Sequence, residues 1–371
     1  MAELHAVTRD REAWSEAKPQ AMDYLRHASR RSGRSAVELV REYAGLHYGR
    51  GKLTLPEYVQ YRVYETDRSG EDKARFITNT LHWPITSTVC DMTWQAATED
   101  KWLCAETLAR SDIPTPEILA VIDHTDRVYP GARKIATVDE LRAFAASADA
   151  TPFFGKENRG ICSFGAFLVT EADQSRLHLK GEGWLDYETC FSKFVGDTPY
   201  LLQRLQRNHA FFDAYTDSLA TIRLCILMTD DGVKTPFAVL KLPGKENLAD
   251  SFWRPGNIAC GLDPETGKIL TVRSKDALGT TDHDAHPETG APLLGESVPM
   301  WEAVLDLARR CAPIFQAVRY QSMDIAVTPE GPMLIEINTG GGFDLPQLAS
   351  GQGFLTDEVR EFFHAYGYRK V

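Results

Sequence analysis

Two apolar runs, IAVT and PMLIEIN, meet at Pro329-Glu330-Gly331, which makes residues 325–338 a hairpin. Met333, Leu334, Ile335 and Ile337 are apolar, so the hairpin is expected to be buried. An acid on a buried hairpin needs a cation or hydrogen-bond donors to offset its desolvation. Asp324, Glu336 and Asn338 are placed in that way. Residues two apart on a strand share a face, so Glu336 and Asn338 point the same way, and the tight turn makes Asp324 a near cross-strand neighbour of that pair. Two carboxylates and an amide oxygen are hard ligands of the kind Mg²⁺ takes, with phosphate oxygens and water completing the octahedron. The competing reading is an edge hairpin with its polar residues in solvent, and the apolar flanks fit that poorly.

Two lysines stand upstream. PFFGKENRGICSFGAFLV (152–169) has the pattern of a strand, a glycine-containing loop and a second strand, with Lys156 at the end of the first and Gly160, Ser163 and Gly165 in the loop. Glycines let backbone N–H groups approach phosphate oxygens, and an ammonium supplies a point charge for them. By itself the segment reads more readily as a solvent-exposed hairpin with a surface lysine. Lys101 follows Asp100 at the start of a helix, where a cation opposes the helix dipole unless an anion lies nearby.

The remaining pattern is mixed. Residues 1 to about 95 are rich in helix formers and aromatic residues. Ala36, Leu39, Val40, Tyr43 and Ala44 form one helical stripe, and Pro56 sits in the first turn of another helix. Further on, EILAVI, YLLQRL, TIRLCILMT and TPFAVLKL are apolar strands, the last two joined at Asp230-Asp231-Gly232. Thr137 and Glu140 form a capping box. A helix is expected over 298–318. Helices with mostly antiparallel hairpins give an α+β fold, and 371 residues give two or three lobes.

A net charge of -11 argues against nucleic acid or a membrane surface as the main partner, yet a few lysines can still set a local field for a small anion. Seven scattered cysteines without a CxxC pair are expected to be reduced, buried thiols. No apolar run is long enough to span a bilayer, and the charged first dozen residues hold no signal-peptide core, so a cytoplasmic protein is expected.

In order, Asp100-Lys101, IPTP (113–116), Lys156 with its glycine loop, LLQRL, and Asp324 with Glu336-x-Asn338 resemble the ATP-grasp superfamily. Within it the chain resembles the sugar-transfer-associated ATP-grasp group, related to α-L-glutamate ligases. The texture of that group appears in LPEYVQYRVYE, SLATIRLCILMT, GLDPETG, HPETGAPLLG and MDIAVTPEGPMLIEIN, so the resemblance covers roughly residues 50 to 360.

The resemblance implies an ATP-grasp fold in which two α+β lobes clasp ATP, with a helical region at 1–95, an N-terminal lobe at 96–199 and a C-terminal lobe at 200–371. Lys101 and Lys156 would contact phosphates, and Lys156 could also approach the adenine. Gly160 to Gly165 would close as a lid. The backbone at Gln203, Arg204 and Leu205 would face the adenine. Asp324, Glu336 and Asn338 would hold one or two Mg²⁺ ions, with Mn²⁺ able to substitute, and Arg223 would stabilise the transferring γ-phosphoryl group.

Three departures are visible. The hinge reads QRLQRN, without the glutamate often found near the ribose. Gly256-Asn257 stands where a Gly-Gly pair is common, and Lys241 where an arginine is common. Both of these last positions are expected to face the acceptor, with Lys241 among the catalytic cations.

Other groups are weighed against plainer roles. His283, Asp284 and His286 form a polar surface loop, the alternative being a substrate-contacting His286. Asn247, Trp253 and Arg254 lie in a polar stretch that could cover the acceptor, and Asn208-His209 can cap the next helix. No GxSxG elbow supports a serine hydrolase. The leading expectation is a Mg-ATP-dependent ligase joining a small-molecule carboxylate to an amine (or thiol) through an acyl phosphate. A phosphotransferase acting on a hydroxyl and a non-catalytic ATP-binding protein are the alternatives.

Overall fold

The computed structural model describes residues 5–15, 19–147, 149–195 and 198–371, and among them the strands form two sheets of seven. The first contains β1 (Ile118–Ile122), β2 (Lys134–Ile135), β3 (Phe153–Glu157), β4 (Phe167–Ala172), β5 (Arg176–Leu179), β6 (Gly183–Asp186) and β7 (Tyr200–Arg204), in the order β2-β1-β7-β3-β4-β5-β6. The second contains β8 (Thr221–Thr229), β9 (Gly232–Leu242), β10 (Ile258–Leu262), β11 (Arg273–Lys275), β12 (Thr280–Asp282), β13 (Tyr320–Thr328) and β14 (Gly331–Thr339), in the order β12-β11-β10-β9-β8-β13-β14. Apart from the parallel pair β1–β2 the strands pair antiparallel, as the hairpin turns at Gly232 and Gly331 lead one to expect. The fold is α+β.

Each sheet carries its own core. Phe153, Phe167, Tyr200 and Leu202 anchor the first, and Ile222, Leu224, Met323, Ile325 and Ile337 the second. β7 lies between β1 and β3, so the first sheet runs on to Arg204, past the boundary expected at 199/200. The N-terminal helices Ala21–Ser32, Ala36–His47 and Leu55–Gln60 pack Tyr24, Leu39 and Tyr58 over Val239 of β9 and Ala259 of β10. Reciprocal capping boxes start two of them, Ser35 with Glu38 and Thr54 with Glu57, and Pro56 occupies a first turn where no N–H is needed.

Local detail departs from expectation in two places. Of the stripe along Ala36–His47 only Leu39 is buried, and Val40 is 45% exposed, because the helix touches the core along a single line. The helix expected over 298–318 is α-helical only over Trp301–Cys311. Pro313 cannot donate to the preceding turn, and a 3₁₀ turn (Ala312–Phe315) follows.

Candidate functional site

The β13–β14 hairpin organises the site. β13 is buried along its length, and its partners place Arg223 of β8 on one side of Asp324 and Glu336 of β14 on the other. On the far side of β8, Lys241 of β9 stands opposite Thr221, two residues from Arg223 and on the same face. The result is a row of charge across four neighbouring strands. A β-bulge between Asp324 and Ile325 leaves Ile335 without a cross-strand partner. Strict alternation would turn Ile335 away from Glu336, but with the bulge Ile335, Glu336 and Asn338 all line one cavity.

That cavity has a volume of about 860 Å³ and lies between the two sheets. It gathers Lys101, Lys156, Gly160, Ser163, Gln203, Arg204, Leu205, Arg223, Lys241, Asp324, Glu336 and Asn338. Of the residues singled out in the sequence, Gly165 is not brought to its wall, and neither are Asn247, Arg254, Gly256 and Asn257, which were expected to face or cover the acceptor. At φ +65° Gly165 is left-handed, and a Cβ there would strike Val7 and the Tyr200 hydroxyl at 2.4 and 2.6 Å, so its place is in packing.

The electrostatics are sharply organised. Arg223 donates from Nε to Oδ1 of Asp324 at 2.6 Å and from Nη2 to Oδ2 at 2.7 Å, and Lys241 Nζ lies 3.1 Å from Oδ1. Burial alone would raise the Asp324 carboxyl, but Arg223 and Lys241 outweigh it and hold it well below the usual carboxylate range. A carboxylate offers about four lone-pair sites, so one on Oδ2 remains for a further ligand. Lys101 reaches from the first turn of its helix to the carbonyl of Gly160 at 2.7 Å and stands 3.5 Å from Glu336. Lys156 has no protein hydrogen bond or ion pair among the described residues. Burial pushes its ammonium down to about 8 against the fields of Glu336 and Asp324, and Lys101 adds to the push. A buried cation without a partner suits an anionic ligand.

Glu336 and Asn338 present hard oxygens to the cavity and fit a Mg²⁺ ion, whereas Asp324 is mostly committed to its cations. Among the described residues no group of three or more His, Cys, Asp or Glu side chains stands ready for a metal, so the His283, Asp284 and His286 stretch is no such cluster. His286 is only 1% exposed and packs on Tyr215, away from the cavity, which corrects both the surface-loop reading and the substrate-contact alternative for that residue. At the hinge, Arg204 donates its N–H to the Glu117 carbonyl and its own carbonyl accepts from Gln206. Its guanidinium turns to Glu117. Gln203 is paired with Phe154 of β3 and Ile118 of β1, so Leu205, just past the strand, is the hinge residue whose backbone is best placed for a ligand.

Sequence reasoning missed how the glycine loop is held. Cys162 and Ser163 are both left-handed, at φ 54° and 53°. The Cys162 carbonyl accepts from Ser251 Oγ at 2.9 Å and Trp253 Nε1 at 3.3 Å, and Arg254 donates to the Ser163 carbonyl at 3.2 Å. The helix Ala6–Ser15 completes the clasp: Asp10 Oδ2 accepts from the Gly165 N–H at 3.0 Å and from Arg254 at 2.8 Å. The Phe164 ring sits between Trp14 and Trp253, with centroids 5.9 and 5.2 Å away. Asn257 shapes the segment that supplies these donors. Its Oδ1 accepts from Gly244 and Asn247, and its Nδ2 donates to the carbonyls of Ala249 and Ser251. The departure from a Gly-Gly pair was visible in the sequence; this buried hub was not. Cys162 is exposed on the same loop, unlike the other six cysteines, which are buried and free.

Against known proteins, the model of the sugar-transfer associated ATP-grasp family matches residues 88–361. The chain belongs to that family. ATP-grasp proteins bind ATP, typically with Mg²⁺. The quoted stretch LPEYVQYRVYE lies ahead of the matched range. No curated protein matches the sequence.

Among solved structures the chain is similar to VanG D-Ala:D-Ser ligase from Enterococcus faecalis, at 14% identity and a TM-score of 0.43 over 76% of this chain and 64% of that one. It is similar to D-alanine–D-alanine ligase from Bacillus anthracis complexed with ATP, at 15% and 0.41 over 81% and 78%. A third is N5-carboxyaminoimidazole synthase from Aspergillus clavatus in complex with ADP and 5-aminoimidazole ribonucleotide, at 12% and 0.36 over 76% and 58%. The chain thus spans less than two thirds of the length of the Enterococcus faecalis enzyme. No helix among the described residues of this ATP-grasp chain is long and apolar enough to cross a membrane.

Proposed function

We propose that this ATP-grasp protein is a ligase that joins a small-molecule carboxylate to an amine through an acyl phosphate. One observation carries the reading: four cations, Lys101, Lys156, Arg223 and Lys241, converge with Glu336 and Asn338 on a single cavity beneath a pinned loop. On this reading the two sheets are the lobes that clasp the nucleotide. Phe154 and Ile335 give the adenine an apolar wall, and Leu205 offers it backbone groups.

Lys101 and Lys156 meet the β- and γ-phosphates. Arg223 commits Nε and Nη2 to Asp324, which leaves Nη1 for an oxygen of the γ-phosphoryl group. Glu336, Asn338 and the remaining lone pair of Asp324 would hold Mg²⁺, which when bound neutralises charge building on the phosphate oxygens.

A carboxylate oxygen of the substrate attacks the γ-phosphorus, the bond to the β–γ bridging oxygen breaks, and ADP leaves with the electron pair. The amine nitrogen then attacks the acyl carbon. The C–O bond to phosphate breaks, phosphate leaves with the pair, and the amine proton passes to it. The clasp of Ser251, Trp253, Arg254 and Asp10 over the loop keeps out the water that would hydrolyse the intermediate.

Incubation with Mg-ATP, pooled carboxylic acids and hydroxylamine tests the reading. Hydroxamate formed in step with ADP and free phosphate is the expected result. ADP formed with neither hydroxamate nor free phosphate contradicts it and favours transfer of the phosphoryl group to a hydroxyl.

A further inference from the structure

Beyond the cations assigned to phosphate, the same cavity wall carries two half-buried charged side chains without protein partners among the described residues, whereas Arg207, Asp213 and Asp217, which also lack partners, are exposed. Lys275 is the last residue of β11, and Asp344 opens the helix Asp344–Ser350; both line the cavity. Among the described residues neither makes a side-chain hydrogen bond, and no ion pair joins them. The chain neighbour of Lys275 does not neutralise it, because Asp276 Oδ1 accepts from the N–H groups of Leu278 and Gly279, each at 2.8 Å. Burial lowers the Lys275 ammonium, and the charge that acts on it most strongly is Asp344, ahead of Asp276. Both line the cavity and no ion pair joins them, so a gap lies between two half-buried opposite charges, and a charge partly withdrawn from water without a counter-charge is costly.

What surrounds that gap describes its occupant. Leu345, Leu348 and Phe252 give it an apolar wall suited to a short organic stem. The thiol of Cys162, on the overlying loop, feels Asp344 most among charged groups and then Arg223, Glu336 and Lys241. Lys275, Asp344 and Cys162 line the same cavity as Arg223, Lys241 and Glu336, so the gap borders the place where phosphoryl transfer would occur.

We propose that Lys275 and Asp344 form the acceptor subsite, with Lys275 taking a carboxylate and Asp344 an ammonium, and that the amine substrate is therefore a free amino acid. The assignment rests on the ligase reading and adds the substrate class to it. An amino acid carries both groups on one carbon and satisfies both walls at once, and its ammonium gives one proton to Asp344 before the neutral nitrogen attacks the acyl carbon. A simple amine leaves Lys275 unpaired, and a simple acid leaves Asp344 unpaired.

The test is thermal denaturation of the full chain with Mg²⁺ and the non-hydrolysable nucleotide AMP-PNP, adding the common amino acids singly in L and D form. At least one should raise the melting temperature above that with nucleotide alone, and its methyl ester and N-acetyl derivative should not. Lys275→Met should weaken binding of that amino acid by about tenfold to hundredfold, the loss of one charge-assisted hydrogen bond, and Lys275→Arg should restore most of it. Asp344→Asn should weaken it similarly, and every variant should keep its response to AMP-PNP. A nucleotide response with no response to any amino acid, or an ester that binds as well as the free acid, overturns the proposal and leaves the nucleotide site standing. No response to AMP-PNP in the unmodified protein removes the ligase reading first and this proposal with it.

Discussion

Lys156 offers the sharpest quantitative prediction, because its cost and its use are opposite in sign. Its ammonium falls from an ordinary 10.5 to about 8 in the folded protein, chiefly through burial. A lysine whose folded value is depressed penalises the native state wherever the unfolded chain holds the proton more tightly. The penalty is complete below about pH 8 and disappears as pH climbs to 10.5. At 1.36 kcal/mol per pH unit the gap corresponds to about 3 kcal/mol. Lys156→Met keeps the aliphatic length and removes the charge, so without ligand the variant should be more stable than the parent at pH 7 by about 3 kcal/mol, and by only about 1 kcal/mol at pH 9.5. Urea unfolding at the two pH values measures both. With Mg-ATP the order should reverse, since loss of a charge-assisted contact to phosphate weakens nucleotide binding by about tenfold to hundredfold. A variant no more stable than the parent at pH 7, or an advantage that grows with pH, refutes the claim that Lys156 is held unpaired for an anion.

Other perturbations separate the remaining roles. Glu336→Gln should abolish Mg²⁺-dependent ADP formation while the circular dichroism spectrum is unchanged, and full activity across a Mg²⁺ titration would remove Glu336 from the metal site. Asp324→Asn strands Arg223, leaves Lys241 with Asp250 alone, and should cost about 3–5 kcal/mol in urea unfolding at pH 7. Because the folded Asp324 value lies below the ordinary one, its contribution is present above about pH 4 and fades as pH falls further, so the two proteins should converge in acid. Asp10→Asn weakens the tie between the helix Ala6–Ser15, Gly165 and Arg254. It should raise phosphate released per product formed, measured by parallel phosphate and product assays, and an unchanged ratio would leave Asp10 with a packing role only.

What the sequence made legible follows from period and composition. The acids of the β13–β14 hairpin could be placed because alternation on apolar strands fixes which side chains share a face. The glycine loop could be placed because Lys156 ends a strand just before it. What escaped depends on contacts between distant parts of the chain. Nothing in AVTRDREAWS announces that Asp10 will meet Gly165, since the two are 155 residues apart in the chain and meet only in the fold. The bulge at Ile335 is silent because an extra residue in the apolar run PMLI, just before Glu336, leaves no mark on the pattern. Lys275 and Asp344 sit singly among turn residues and look like ordinary surface charges until the fold turns them into one cavity. His286 misled in the other direction: its polar neighbours suggest solvent, while its ring packs on Tyr215.

The most direct test of the acyl-phosphate route follows an oxygen atom. Carboxylic acids labelled with ¹⁸O in both carboxyl oxygens are incubated with the protein, Mg-ATP and amines, and the released phosphate is examined by ³¹P NMR. Transfer through an acyl phosphate carries one labelled oxygen from the acid into each phosphate released during product formation, which is the result expected here. Phosphate that forms along with product but carries only unlabelled oxygen would contradict it.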